Sequence, residues 1–307
     1  MPASSSYSMH THAHTRLLLA RLGRAVWNYV DDAHLLQGFA EVVAGFNHMK
    51  RRQMETNAPP DPGSMFLSDD PSSEPVGWFV DHDLPCKYTV TPVSPSLHFM
   101  PRDDLWHIVN TGTVSSSLKT HEEEEAAHAE TLAYTIAYTV FRRSVARAHT
   151  QDAPGHSMLN PQLRRRHTQA HAVLSDEFAR TFESPDVQLV SANRDAAGPF
   201  AWAADAPELA CGMRWLLNQL YELHCVHKMR QADARACAYL ASLDEEVVED
   251  ICAATDTISI GRPYSYELLR NLLCDALVLV RKMPDIPPSC TEPLYKDDAS
   301  RSGCYIQ

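Results

Sequence analysis

Glycine is scarce in this chain. It supplies 11 of 307 residues, few for an enzyme that must bring its backbone close to a phosphate. The signatures built on glycine are missing too: no G-x-x-x-x-G-K-[ST], no G-x-G-x-x-G and no G-x-S-x-G occurs. That removes the P-loop, the dinucleotide turn and the nucleophile elbow. No H-E-x-x-H occurs, although His121-Glu122 begins like one. No two of the eight cysteines form C-x-x-C. No apolar run approaches the ~18 residues of a membrane-spanning helix, and the longest, Leu272 to Val280, is broken by Asp275. Basic residues are outnumbered, 27 Lys and Arg against 39 Asp and Glu, giving a net charge of −12 and a pI near 5.7. Such a chain has no general attraction for phosphate, and nucleic acid is a poor default partner.

What remains is ordinary globular material, 44% hydrophobic and 21% charged. A chain this long buries about 75% of the surface it would expose unfolded, enough for one large core. Five cysteines (Cys211, Cys225, Cys237, Cys252 and Cys274) fall in apolar helical stretches, where Cys behaves as a small buried hydrophobe. Without a secretory signal, reduced thiols in an intracellular, cytoplasmic protein are expected. Met1 to Val30 contains no acidic residue. Its Ser, Arg and Leu content also matches a mitochondrial transit peptide, but a polar tail leading into a core helix is the preferred reading.

Hydrophobic periodicity predicts a mainly α protein, a multi-helix array or bundle with a small β-hairpin insertion near residues 78–100. Residues 1–14 form a Ser/His-rich tail, residues 15–283 a single helical domain, and residues 284–307 an extended tail. From Thr15 to Met54 the pattern is helical, with Asp31 or Asp32 capping the second of two helices. Residues 56–77 and 185–206 read as loop insertions, the latter with a brief strand at Val187 to Val190. Strand chemistry peaks at Lys87 to Thr91, limited to edge pieces by Pro85, Pro92 and Pro95. A short helix follows Pro101. The strongest helix opens on a capping box, Thr120 with Glu123, and on the acids Glu122 to Glu125. Its apolar face uses Leu132, Ile136, Val140 and Phe141, and Arg142, Arg143 and Arg147 suit its far end. Further helices are predicted from Pro161 to Phe182, Pro207 to Arg230, Ala232 to Leu243, Asp244 to Ala254 and Tyr264 to Met283.

Three patterns could carry chemistry. Glu125 and His128 form a Glu-x-x-His step, which projects both side chains from one helix face as in di-iron carboxylate bundles. No second copy exists, so Asp103 and His107, Glu222, and the pair His224 and His227 would have to complete an iron or zinc shell. The competing reading gives the glutamates to helix capping and the His224 helix to the core, and it carries more weight. Arg164, Arg165 and Arg166 could bind phosphate or an acidic partner, though a charge run is more often a solvated face. Cys304-Tyr305-Ile306-Gln307 fits C-a-a-X, which would farnesylate Cys304 and give peripheral membrane contact, without a polybasic patch to support it. His10, His12 and His14 alternate in the tail and could hold adventitious metal.

Two function classes follow. One is a non-catalytic helical interaction or scaffold protein, self-assembling or a subunit of a larger complex, with protein partners. The other is a metal-dependent (iron or zinc) helical-bundle oxidoreductase. The missing signatures favour the first and weigh against an enzyme, while fold by itself fixes neither.

Overall fold

Asp31 starts the first long helix. Its backbone is extended and its carboxylate accepts from His34 N at 2.8 Å, capping α1, Asp32–Arg51. The computed structural model describes residues 23–52, 61–70, 72–79, 95–113, 120–151, 161–205, 209–241 and 264–282, with only the backbone at 148–151, 161–171, 204–205 and 230–241. The tails at 1–14 and 284–307, the strand candidate Lys87 to Thr91 and the helix expected at Asp244 to Ala254 lie outside the described residues.

The described residues are mainly helical, as the periodicity predicts. After α1 come α2 (Arg102–Thr111), α3 (His121–Gln151), α4 (Pro161–Phe182), α5 (Val187–Asp195), the single turn α6 (Gly198–Ala201), α7 (Cys211–Ala241) and α8 (Tyr266–Lys282). A small antiparallel sheet accompanies them, in the order β1 (Arg24–Ala25), β2 (Met65–Leu67) and β3 (Gly77–Phe79). Arg24 faces Leu67, and Phe66 faces Trp78. The β element therefore draws on Arg24 and Ala25, where the pattern predicts the first of two helices and a strand and a short 3-10 turn stand instead, and on the stretch read as a loop, as well as on Trp78 and Phe79.

The sheet lies against α1 at a pair of glycines. A Cβ on Gly77 would stand 2.4 Å from the Gly38 carbonyl oxygen and 2.6 Å from its Cα. The two backbones touch, and only glycine at 77 permits it, while a Cβ on Gly38 would run into the Leu67 side chain of β2. Glu41, one turn beyond Gly38, accepts from Val76 N at 2.5 Å and Gly77 N at 3.2 Å, so α1 satisfies the main chain that enters β3. Helix α1 also buries Leu35, Leu36, Phe39, Val42, Val43 and Phe46, and α8 packs against α1 with Tyr266, Leu269, Leu273 and Ala276 buried.

Helix α3 runs through the middle. Its capping box forms as expected: Thr120 N donates to Glu123 Oε2 at 2.7 Å, and Glu123 N donates to Thr120 Oγ1 at 3.3 Å. Leu132, Ile136, Val140 and Phe141 are buried, but so are Thr131, Thr135 and Thr139 on another face. Those hydroxyls donate back to the carbonyls of Ala127, Thr131 and Thr135 at 3.0, 3.0 and 2.7 Å. A threonine can thus enter the core without an orphaned oxygen. The helix continues to Gln151, so Arg142 and Arg143 do not reach its end. Their guanidinium carbons lie 4.4 Å from the ring centres of Trp27 and Tyr29, fastening the segment before α1.

Three expectations need correction. Val187 to Val190 is not a strand: Asp186 caps Gln188 N at 2.8 Å and α5 follows, burying Val190 and Arg194 one turn apart. The break expected between Arg230 and Ala232 is absent, because α7 continues unbroken to Ala241. Cys211 and Cys274 are exposed rather than buried, and Cys225 is half-buried. Cys274 directly follows the buried Leu273 and so turns outward on an amphipathic helix. No helix of the described residues is long and apolar enough to cross a membrane.

Candidate functional site

Glu130 sits in the apolar middle of α3, where a carboxylate is costly unless it is bonded. Its Oε1 accepts from the Tyr134 hydroxyl at 2.5 Å and from Arg102 N at 3.2 Å. The second contact sets the N-terminus of α2 on the carboxylate, charge facing dipole. Its Oε2 lies 3.8 Å from His227 Nε2, on α7. Burial raises the Glu130 pKa and Asp103 adds to the rise, while His227, the Tyr134 bond and Arg194 oppose it.

Tyr134 links the carboxylate to the rest of the cluster. Its oxygen lies 3.2 Å from His224 Nδ1. Its ring stacks on Phe200 at 5.6 Å between centroids. The Arg194 guanidinium carbon stands 3.3 Å from its ring centre. Burial, joined by the Arg194 charge, drives His224 down to about 3, so its imidazole is neutral at physiological pH. Burial also lowers the Arg194 pKa and raises those of Tyr134 and Tyr264. Tyr264, ahead of α8, sets its ring against His227 at 5.2 Å.

Five ionisable side chains from three helices and one connecting segment thus meet in the interior. Glu130, Tyr134, Arg194, His224 and Tyr264 are each no more than 2% exposed. Four of their polar ends have no hydrogen-bonding partner, namely Arg194 Nη1, Arg194 Nη2, His224 Nε2 and the Tyr264 hydroxyl. A rim surrounds them: Arg102 Nε pairs with Asp195 Oδ1 at 2.6 Å, and Lys228 Nζ donates to the Asp195 carbonyl at 2.8 Å.

The residues singled out in the sequence divide between this cluster and other places. His224 and His227 belong to it. Asp103 is exposed on the first turn of α2, near enough to act on Glu130, and His107 lies half-buried one turn further on. Glu125 and His128 form a separate joint. Glu125 is paired with Lys50 of α1 and accepts from Tyr266 N at 2.9 Å, and His128 Nδ1 lies 3.1 Å from the Tyr266 hydroxyl. Glu222 is exposed and accepts from Gln219 at 3.3 Å. Arg164, Arg165 and Arg166 ride on α4, but their side chains lie outside the described residues, as do Cys304 and His10, His12 and His14. Among the described residues, no group of three or more His, Cys, Asp or Glu is placed to hold a metal ion.

Sequence reasoning missed Glu130, Tyr134, Arg194 and Tyr264. The signal for the first was present: a glutamate inside the run from Ala129 to Phe141 breaks the apolar pattern. Arg194 was hidden by reading α5 as irregular. No protein-family model matches this chain, and no significant match is found among curated proteins or solved structures.

Proposed function

We propose that this chain is a non-catalytic helical interaction protein that works by holding partners rather than by turning over a substrate. The observation that carries the reading is the burial of its most perturbed groups. A catalytic centre must exchange substrate and product with solvent, and Glu130, Tyr134, Arg194, His224 and Tyr264 are closed off from it. The surface offers the complement. Trp106 on α2 and Leu189 on α5 are 42% and 57% exposed, on two helices that pack together around Leu105, Ile108 and Val190. Exposed Trp beside aliphatic side chains is interface material, while single exposed apolar residues are also common. In this reading the chain is cytoplasmic with reduced cysteines, and farnesylation at Cys304 would add a weak membrane contact.

The test is a photo-crosslinking residue placed at 106 or 189 in the full chain, expressed in its own cells. Reproducible adducts at both sites, absent from a control at Glu222, support the reading. Monomeric sedimentation at all concentrations with no adduct at either site overturns it. The alternative, a metal-dependent oxidoreductase, draws no specific support from the placement of Glu125 and His128, whose polar atoms face Lys50 and Tyr266.

A further inference from the structure

We propose that the buried end of Arg194 is a binding site for a small monocarboxylate, enclosed by α3, α5, α7 and the segment that enters α8. The first argument is the state of the guanidinium. Arg194 is 2% exposed, and neither Nη1 nor Nη2 has an acceptor. A charged donor left bare in the interior is strongly unfavourable. Glu130 does not fill the role, since its oxygens face Tyr134, Arg102 N and His227. The Tyr134 ring attracts the guanidinium through its face, at 3.3 Å, and the Tyr134 hydroxyl helps to hold its charge, but that single oxygen already serves Glu130 and does not pair with Nη1 or Nη2.

The second argument is the direction of the missing chemistry. Two N–H groups on one planar fork match the two oxygens of a carboxylate. The Tyr264 hydroxyl is a further buried donor without a partner, and it is close enough to Arg194 and Glu130 for each to act on its ionisation. Phe200, stacked on Tyr134 and 5.9 Å from the His224 ring, makes this part of the interior apolar, which suits a short aliphatic remainder. Charge sets the limit. A dianionic phosphate beside Glu130 would gather three negative charges around one guanidinium. A monoanion brings one negative charge fewer to the same guanidinium. The ligand is held there, not converted, and it is small enough to enter by local opening of an interior that is closed to a larger substrate.

The experiment is calorimetric titration of the full chain with acetate and with formate, at constant ionic strength set by chloride, with inorganic phosphate as the comparison. The expected result is saturable one-site binding of a monocarboxylate, together with a melting temperature that rises with its concentration. Binding should weaken by about tenfold or more in Arg194→Met and several-fold in Tyr264→Phe, the loss of a bidentate charged contact and of one hydrogen bond. No saturable binding of acetate or formate to the wild-type chain overturns the proposal. So does undiminished binding in a folded Arg194→Met chain, or phosphate binding as tightly as acetate. Should Arg194→Met fail to fold, the wild-type titration and Tyr264→Phe decide.

Discussion

The guanidinium carbon of Arg194 lies 3.3 Å from the centre of the Tyr134 ring, and the hydroxyl of the same tyrosine bonds Glu130. One side chain therefore holds a buried cation on its face and a buried carboxylate at its tip. Removing the two parts separately should show two different losses. Tyr134→Phe keeps the ring and deletes the hydroxyl, leaving Glu130 one bond short. It should cost about 1–3 kcal/mol in urea unfolding. Tyr134→Leu also removes the ring beneath Arg194 and should cost about 1–2 kcal/mol more. Equal losses in the two variants would show that the ring contributes nothing to holding the cation.

His224 makes the protein sensitive to acid. Its pKa falls from an ordinary 6.5 to about 3 on folding. Below pH 6.5 the unfolded chain takes up a proton that the folded chain refuses. Stability is therefore full above 6.5 and is lost as pH falls toward 3, at up to about 1.4 kcal/mol per pH unit. In His224→Gln this slope should shrink to the smaller part contributed by His34, whose pKa burial also lowers. The check is the unfolding free energy against pH for both chains, and parallel curves would place the acid sensitivity elsewhere.

Glu130 tilts the balance the other way. Burial raises its folded pKa above the ordinary value of 4.5. Between those two values the folded chain keeps a proton that the unfolded chain releases. Its contribution is full below 4.5 and is lost as pH rises through the folded value. Glu130→Gln should remove this falling slope and leave the rising slopes of His224 and His34, so the stability of the variant should climb more steeply with pH just above 4.5 than that of the wild type. A variant whose curve is no steeper in that window would contradict the buried, proton-holding state of Glu130.

How much of this was legible in the sequence depended on the range of the physics. The helix of Glu122 to Phe141 could be read because its cap, its dipole acids and its apolar spacing are all local. Asp31 could be read as a cap for the same reason. Strands β1 and β2 could not: Arg24–Ala25 and Met65–Leu67 are too short to show an alternation, and they exist because each completes the other's hydrogen bonds across roughly 40 residues of chain. The cluster was legible only in part. His224 and His227 stood out as a local pattern, but Glu130, Arg194 and Tyr264 come from distant segments, and only the packing of α3, α5 and α7 makes them neighbours.

Gly38 illustrates the same point. In the sequence it only weakens a helix. In the fold it is where β3 passes, and the Cβ of an alanine at position 77 would stand 2.4 Å from its carbonyl oxygen. Gly77→Ala should push the sheet off α1, loosen the Glu41 contacts to Val76 and Gly77, and cost about 2–4 kcal/mol by overpacking. Gly45, on the same helix, has open space on its side-chain side, with nothing within 4 Å of where a Cβ would stand. Gly45→Ala should leave stability unchanged or raise it by up to about 1 kcal/mol. Thermal melts of the two variants side by side give the comparison, and a similar response in both would remove the close approach as the reason for Gly77.

Glu125 decides between two accounts of one residue. As a metal ligand, its loss would matter when zinc or iron is present and little when it is absent. As a structural acceptor, it joins three helices through Lys50 on α1, its own backbone on α3 and Tyr266 N at the start of α8. The carboxylate is largely shielded, so both partners would be left wanting. Glu125→Ala should cost about 2–3 kcal/mol whether or not metal is added. Lys50→Ala should cost less, because Lys50 is the more exposed partner and the bond to Tyr266 survives. A double-mutant cycle over the two positions should then show a coupling smaller than the whole Glu125 effect, the remainder belonging to the main chain of Tyr266. Stability raised in the wild type alone by zinc or iron, and not in Glu125→Ala, would instead return Glu125 to the metal reading.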